Sequence, residues 1–281
     1  MTLAEALAQG RQLLAGGDSP VLDTQLLLQH VSGATRVQLL AYPGRLLTAS
    51  QQQHFLALLA RRQQGEPIAH LLGEQEFYGL PLAVNAHTLI PRADTETLVD
   101  AALVLPDSPR HFLDLGTGTG AIAIALAYHR RHWQGVAVER IAAAAELAER
   151  NVARHQVAVT VLHGSWFAPV AGQRFGLIVA NPPYIDPADP HLHQGDVRFE
   201  PRSALTADDA GLADLRHIIT AAPDYLEPAG WLMLEHGYDQ AEAVSRLLVQ
   251  QGFTQVRSIR DLGGNQRVSL GCWQDNAGVF G

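Results

Sequence analysis

A single cysteine, Cys272, stands among 281 residues. No intrachain disulfide can form, and a chain of this length does not need one. Long apolar runs are missing as well: no stretch approaches the roughly 18–20 uninterrupted apolar residues that span a bilayer. The opening MTLAEALAQGRQLL places Glu5 among alanines and leucines. It lacks the cationic start and continuous apolar stretch of a secretory signal, so a cytoplasmic protein is expected. Positive charge is scarce: 20 arginines and lysines against 28 aspartates and glutamates give a formal net charge of −8. Proteins that bind nucleic acid replace its counterions with a basic surface, and this balance counts against a nucleic-acid substrate. Internal repeats and low-complexity tracts are lacking. The 13 histidines form no ligand pattern either. His191 and His193 flank Leu192, and His129 and His132 adjoin Arg130 and Arg131, without further ligands at a defined spacing. No metal is expected.

What is present suits one full α/β domain and a smaller unit, at roughly 100–200 residues per domain. Hydrophobic residues make up 47% of the chain, ample for two cores. Residues 1–73 read as short amphipathic helices. Thr2 and Glu5 form a capping box ahead of Leu3, Leu7, Leu13 and Leu14. A second helix carries Leu22, Leu26, Leu27 and Val31 and stops at Gly33. A third starts near Val37 and is cut by Pro43-Gly44. A fourth starts near Thr48 or Ser50, carries Phe55, Leu58 and Leu59, and fades before Gly65-Glu66-Pro67. Residues 74–86, with EFYGLPLAV at their centre, read as a hairpin or extended linker.

From residue 87 to 281, strands alternate with helices. Strands are expected at 112–115, 135–138, 157–162, 175–180, 231–235, 254–259 and 267–271. Helices are expected at 121–128, 141–154 and 241–251. Such alternation with short turns gives a doubly wound, mostly parallel sheet.

Residues 114–120 read DLGTGTG, between the first strand of this region and the helix after it. Glycines at alternate positions let backbone approach a ligand where a Cβ would collide, and the helix points free N–H groups at it. Gly116, Thr117, Gly118, Thr119 and Gly120 are therefore candidate cofactor residues. The next strand ends at Glu139, a carboxylate placed for a ribose diol. Dinucleotides and S-adenosylmethionine fit these two loops equally well.

The fourth strand decides between them, because it runs directly into Asn181-Pro182-Pro183-Tyr184. Two prolines fix two φ angles and remove two donors. The Asn181 side-chain oxygen and the Pro182 carbonyl can then converge as paired acceptors for an incoming –NH2, and Tyr184 offers a flat face to a planar amide or base. An amide nitrogen is a poor nucleophile. Two acceptors would hold its hydrogens, aim it at a sulfonium methyl and stabilise the positive charge that grows on it. In-line positioning supplies the rest, up to about 7–11 kcal/mol, and no general base is required.

With these loops the chain resembles the release-factor glutamine methyltransferases (the HemK/PrmC family). The similarity includes GEPIAHL at 65–71, LIPRADTE at 89–96, DLGTGTGAIAIAL at 114–126, NPPYID at 181–186, QGDVRFEP at 194–201 and LEHG at 234–237. It implies a Rossmann-like class I methyltransferase domain with a seven-stranded sheet, preceded by a small helical domain that helps dock the substrate. It also implies transfer from S-adenosyl-L-methionine to the side-chain nitrogen of the glutamine in the Gly-Gly-Gln loop of class I peptide release factors. By the same resemblance Trp166 lies against the cofactor, Asn181 borders it, and Asn181 to Tyr184 grip the glutamine. Two positions depart from the family: Ser165 stands where a carboxylate is usual before Trp166, and Ala93 where a proline is usual.

Arg92 beside Asp94 and Glu96 is read either as a substrate contact or as a local ion pair, and Glu200 receives no chemical step. Two other acceptors remain compatible with NPPY: a glutamine of a ribosomal protein, and the exocyclic amine of adenine or guanine in nucleic acid. A non-catalytic cofactor-binding module is disfavoured by the intact acceptor pair.

Overall fold

The computed structural model describes residues 1–106 and 110–274; the limit at residue 281 read from the sequence lies outside them. The chain divides into two units: Met1–Glu74 with His193–Phe199, and Gln75–Leu192 with Glu200–Gly281.

The first unit is helical: α1 (Leu3–Leu13), α2 (Pro20–Ser32), α3 (Arg36–Ala41), α4 (Ala49–Gln63) and α5 (Ile68–Leu72). Thr2, Thr35 and Thr48 each start a helix with a capping box, in which two otherwise orphan backbone donors are satisfied reciprocally. Gly33 ends α2 at φ 66°, a left-handed cap that glycine adopts without strain. Leu3, Leu27, Leu28, Phe55 and Leu59 close the core. α5, directly after Pro67, is too short to have shown in the hydrophobic pattern. Arg62 on α4 reaches Asp23 at 2.7 Å and Asp196 at 3.0 Å. Arg198 donates to the Gln64 carbonyl at 2.8 Å. These contacts make the distant segment His193–Phe199 part of this unit.

A hairpin, β1 (Glu74–Phe77) and β2 (Leu80–Ala83), follows. The second unit continues with α6 (Glu96–Leu103), β3 (His111–Leu115), α7 (Ala121–His129), β4 (Gln134–Glu139), α8 (Ala142–His155), β5 (Val159–His163) and β6 (Phe175–Ala180). It ends with α9 (Ala213–Ala221), β7 (Leu226–Glu235), α10 (Ala241–Gln251), β8 (Thr254–Arg260) and β9 (Gln266–Cys272). One seven-stranded sheet has the order β5-β4-β3-β6-β7-β9-β8. Only β9 runs against its neighbours. This is the doubly wound sheet expected from the sequence. α6 and α9 were not expected, and β7 begins at Leu226 rather than Trp231. The Pro228-Ala229-Gly230 step, with Ala229 at φ 60°, lies inside the strand.

β6 is buried at all of its positions, as a central parallel strand covered on both faces must be. Leu177 and Val179 pack with Leu98 of α6 and Ile124 of α7. Ile178 and Ala180 pack on the other face with Leu215 of α9 and Leu248 of α10. Asn151 on α8 joins three parts of the unit. Its side chain accepts from Ala83 N (2.8 Å) and donates to Ala83 O (3.0 Å) and Thr119 O (2.9 Å), and it is 1% exposed. Asn151→Ala would leave these backbone groups unpaired. The expected loss is about 2–4 kcal/mol of unfolding free energy, measured by urea denaturation followed by circular dichroism.

Candidate active site

Parallel pairing sets the site. Leu115 of β3 lies opposite Val138 of β4 and opposite Ala180 of β6. The residues that follow, Gly116, Glu139 and Asn181, leave the sheet at one edge, beside the point where strand order reverses. Gly116, Gly118 and Gly120 have φ of 69°, 55° and 85°, a run of left-handed conformations open to glycine and strained for other residues. The amides of Gly116 and Thr117 both donate to the Val138 carbonyl, at 2.9 and 3.1 Å. Thr117 donates its hydroxyl to Asp114 Oδ2 at 2.6 Å.

Glu139 is 7% exposed. One carboxylate oxygen accepts from Gly118 N at 3.0 Å and the other from Ile141 N at 2.9 Å. Both oxygens are thus oriented, and each retains acceptor capacity for a diol. Trp166, at φ 48°, lies over the loop: a Cβ added to Gly116 would sit 3.7 Å from its ring. These groups, with Thr95, Arg92 and Ser165, border a cleft with about 920 Å³ of empty space, part of it open to solvent.

Asn181 and Pro183 form part of the cleft wall. Pro182 is buried, and Tyr184 packs against the core beneath the sheet edge. Asn181 Nδ2 donates to the Thr95 hydroxyl at 3.1 Å. Tyr184 donates its hydroxyl to Glu235 Oε1 at 3.2 Å, and the Thr95 hydroxyl also interacts with the Glu235 carboxylate. Burial pushes the Glu235 carboxyl up to about 7 and the Tyr184 phenol upward. Asp114 is likewise raised to about 7 by burial, and its Oδ1 is buried without a hydrogen-bond partner. On the cleft wall, three left-handed glycines that leave room for close approach and an oriented carboxylate fit an adenosyl amino acid.

Thr95 and Glu235 were overlooked in the sequence. They lie within LIPRADTE and LEHG, so the signal was there as similarity without a chemical role. Arg92 pairs with Glu200, whose other oxygen accepts from Ile90 N at 3.1 Å. The local pairing of Arg92 suggested by spacing is not what forms: Asp94 pairs with Arg267 at 3.2 Å, and Glu96 accepts from Tyr78 N at 2.8 Å.

Among family models, the PrmC N-terminal domain matches residues 5–73 and the methyltransferase small domain matches residues 93–195. The release factor glutamine methyltransferase of Shewanella oneidensis is 48% identical over 280 residues, covering 99% of this chain and 98% of that protein. Its counterpart in Escherichia coli K12 is 50% identical over 271 residues, covering 96% of each. A solved methyltransferase structure from Pyrococcus furiosus matches with a TM-score of 0.54 at 19% identity, over 80% of this chain and 98% of that one. That match concerns the fold alone, a Rossmann-like class I methyltransferase. Near-full-length identity at this level, joined to a sheet edge that gathers a glycine loop, a buried carboxylate and NPPY, shows that the chain belongs to the release factor glutamine methyltransferase family.

Proposed function

We propose that this protein methylates N5 of the glutamine in the Gly-Gly-Gln motif of class I peptide chain release factors, with S-adenosyl-L-methionine as donor. The observation that carries the reading is the orientation of Asn181. Its Nδ2 is committed to Thr95, which leaves Oδ1 as the end that can accept from a substrate –NH2. The names of the near-full-length relatives support the choice of a release factor. Residues 1–73 serve as the docking domain, and 87–281 carry the chemistry.

Bound S-adenosyl-L-methionine supplies an electrophilic methyl on a sulfonium. The chain holds and aims the two partners. Residues Gly116 to Gly120 admit the donor closely, Glu139 binds its ribose hydroxyls, and Trp166 covers it. Asn181 Oδ1 and the Pro182 carbonyl accept the two amide hydrogens and direct the nitrogen lone pair toward the cleft. The rigid Pro182-Pro183 step keeps these acceptors fixed, and Tyr184 supports the loop from below while bordering the glutamine. The nitrogen gains the methyl, the S–C bonding pair stays on sulfur, and one nitrogen proton passes to water. The acceptors therefore meet growing positive charge without any rearrangement of the loop.

Two substitutions separate these roles. Asn181→Ala should lower kcat by about 10²–10³-fold and leave donor affinity nearly unchanged, read by methyl transfer to a purified release factor and by calorimetry. Glu139→Ala should raise the donor Kd by about 10–100-fold with a much smaller change in kcat at saturation. An unaltered Kd would remove Glu139 from the ribose role. Mass spectrometry of the wild-type reaction locates the methyl. Label on a ribosomal protein or on nucleic acid, and none on the release factor, would replace the proposed substrate.

A further inference from the structure

We infer that Thr95 and Glu235 are positioning residues that decide which end of the Asn181 amide faces the cleft. The inference rests on the reading of Asn181 as the acceptor for the substrate nitrogen. An asparagine amide presents oxygen at one end and –NH2 at the other, in nearly the same shape. Turned by half a rotation, Asn181 would meet a substrate –NH2 with a donor, and neither group would have a partner.

Thr95 alone does not break this symmetry. A hydroxyl has one proton and two lone pairs, so it can accept from Nδ2 or donate to Oδ1. Glu235 removes the choice. An ionised carboxylate only accepts, so the Thr95 proton is drawn to Glu235 and the Thr95 oxygen is left to accept from Asn181 Nδ2, the bond seen at 3.1 Å. Tyr184 donates to the same carboxylate at 3.2 Å. One buried group thereby fixes both ends of NPPY, Asn181 through Thr95 and Tyr184 directly. Glu235 is 1% exposed, and its Oε2 has no hydrogen-bond partner. A carboxylate held this way is an expensive choice for stability alone, which points to its use as a directional acceptor.

The charges around Glu235 are few. Arg267 approaches from β9 and is itself shared with Asp94 at 3.2 Å and Asp261 at 3.1 Å. Asp94 and Thr95 come from the turn before α6, and Tyr184 from the loop after β6. Burial outweighs the attraction of Arg267, so the carboxyl titrates at about 7. Protonated, it becomes a donor and Thr95 is released to turn. The ordering of Asn181 is therefore present above that pH and lost as pH falls through it. Asp114 titrates in the same region, so an acid limb in kcat identifies Glu235 only through its variants.

The test measures kcat and KM for a purified release factor across the neutral range, at saturating S-adenosyl-L-methionine. Thr95→Val should lower kcat about 10- to 100-fold with a much smaller change in donor Kd, and Thr95→Ser, which keeps the hydroxyl, should recover most of the lost kcat. Glu235→Gln should lower kcat and reduce its fall at acid pH to whatever Asp114 contributes. Undiminished kcat in Thr95→Val, or an acid limb in Glu235→Gln identical to that of the wild-type protein, would overturn the inference. A second measurement needs no substrate: the side-chain ¹⁵N amide resonance of Asn181 should follow the Glu235 titration in the wild-type protein and ignore pH in Glu235→Gln. A resonance that ignores pH in the wild-type protein also overturns it. Wild-type protein that shows this titration yet leaves the release factor unmethylated would sink the proposed substrate while upholding the positioning chain.

Discussion

Leu115 lies between Val138 and Ala180, and this three-strand register is the constraint on which the site depends. Parallel strands deliver their C-terminal ends to the same edge of a sheet, so the three residues that follow arrive together from distant parts of the sequence. Glu139 reaches the amide of Gly118 only because β4 and β3 end level with each other. Asn181 faces the same cleft because β6 ends level with β3. A slip of one residue would turn every side chain of a strand to its other face. The fully buried β6 leaves no polar face to accommodate such a slip. Packing of Leu177, Ile178 and Val179 against the helices on both sides therefore fixes the geometry of groups that themselves contribute little to stability.

Acceptors recur at this edge. Asp114 near the end of β3, Glu139 at the end of β4 and Glu235 at the end of β7 are buried carboxyls, each bonded to a backbone amide or a hydroxyl of a neighbouring loop. Carboxylates suit that task because, when ionised, they present several lone pairs and no proton. A loop donor held by one has a single possible bond direction. Glu139 orders Gly118 and Ile141 in this way, Asp114 orders Thr117, and Glu235 orders Tyr184. The loops of this site are thus tied by carboxylate acceptors as well as by proline.

The sheet was legible in the sequence, and so was the convergence of the glycine loop, Glu139 and Asn181 at one cleft, because each is a short signal at a strand end and needs no knowledge of what lies across the cleft. It did not recover what depends on long-range contact. Thr95 and Glu235 come together only when α6 and β7 pack in the folded unit, and α6 itself is a short run of mixed polarity. Arg92 has two acidic neighbours in sequence yet pairs with Glu200, since the segment from Ile90 to Arg92 is held to that side chain by a backbone bond as well. The block QGDVRFEP looked like one motif and divides in the fold: Asp196 and Arg198 are held by the helical unit, whereas Glu200 is held by Arg92 and Ile90 of the second unit. Tyr184, read as a substrate platform, has its hydroxyl tied to Glu235.

The energetics of the two carboxyls raised to about 7 follow from the same arrangement. Each binds its proton more tightly in the folded than in the unfolded chain. Their contribution to stability is therefore full below the ordinary carboxylate range and declines as pH rises through about 7. Near neutrality, ionising either one opposes folding, and the cores on both faces of β6 must supply the difference. An apolar residue at position 114 or 235 would relieve that load, but it would also leave Thr117 or Tyr184 without a fixed partner. The site holds its acceptors in place by keeping charge where solvent cannot stabilise it. That arrangement is tolerable because the strands beneath are pinned by two hydrophobic layers.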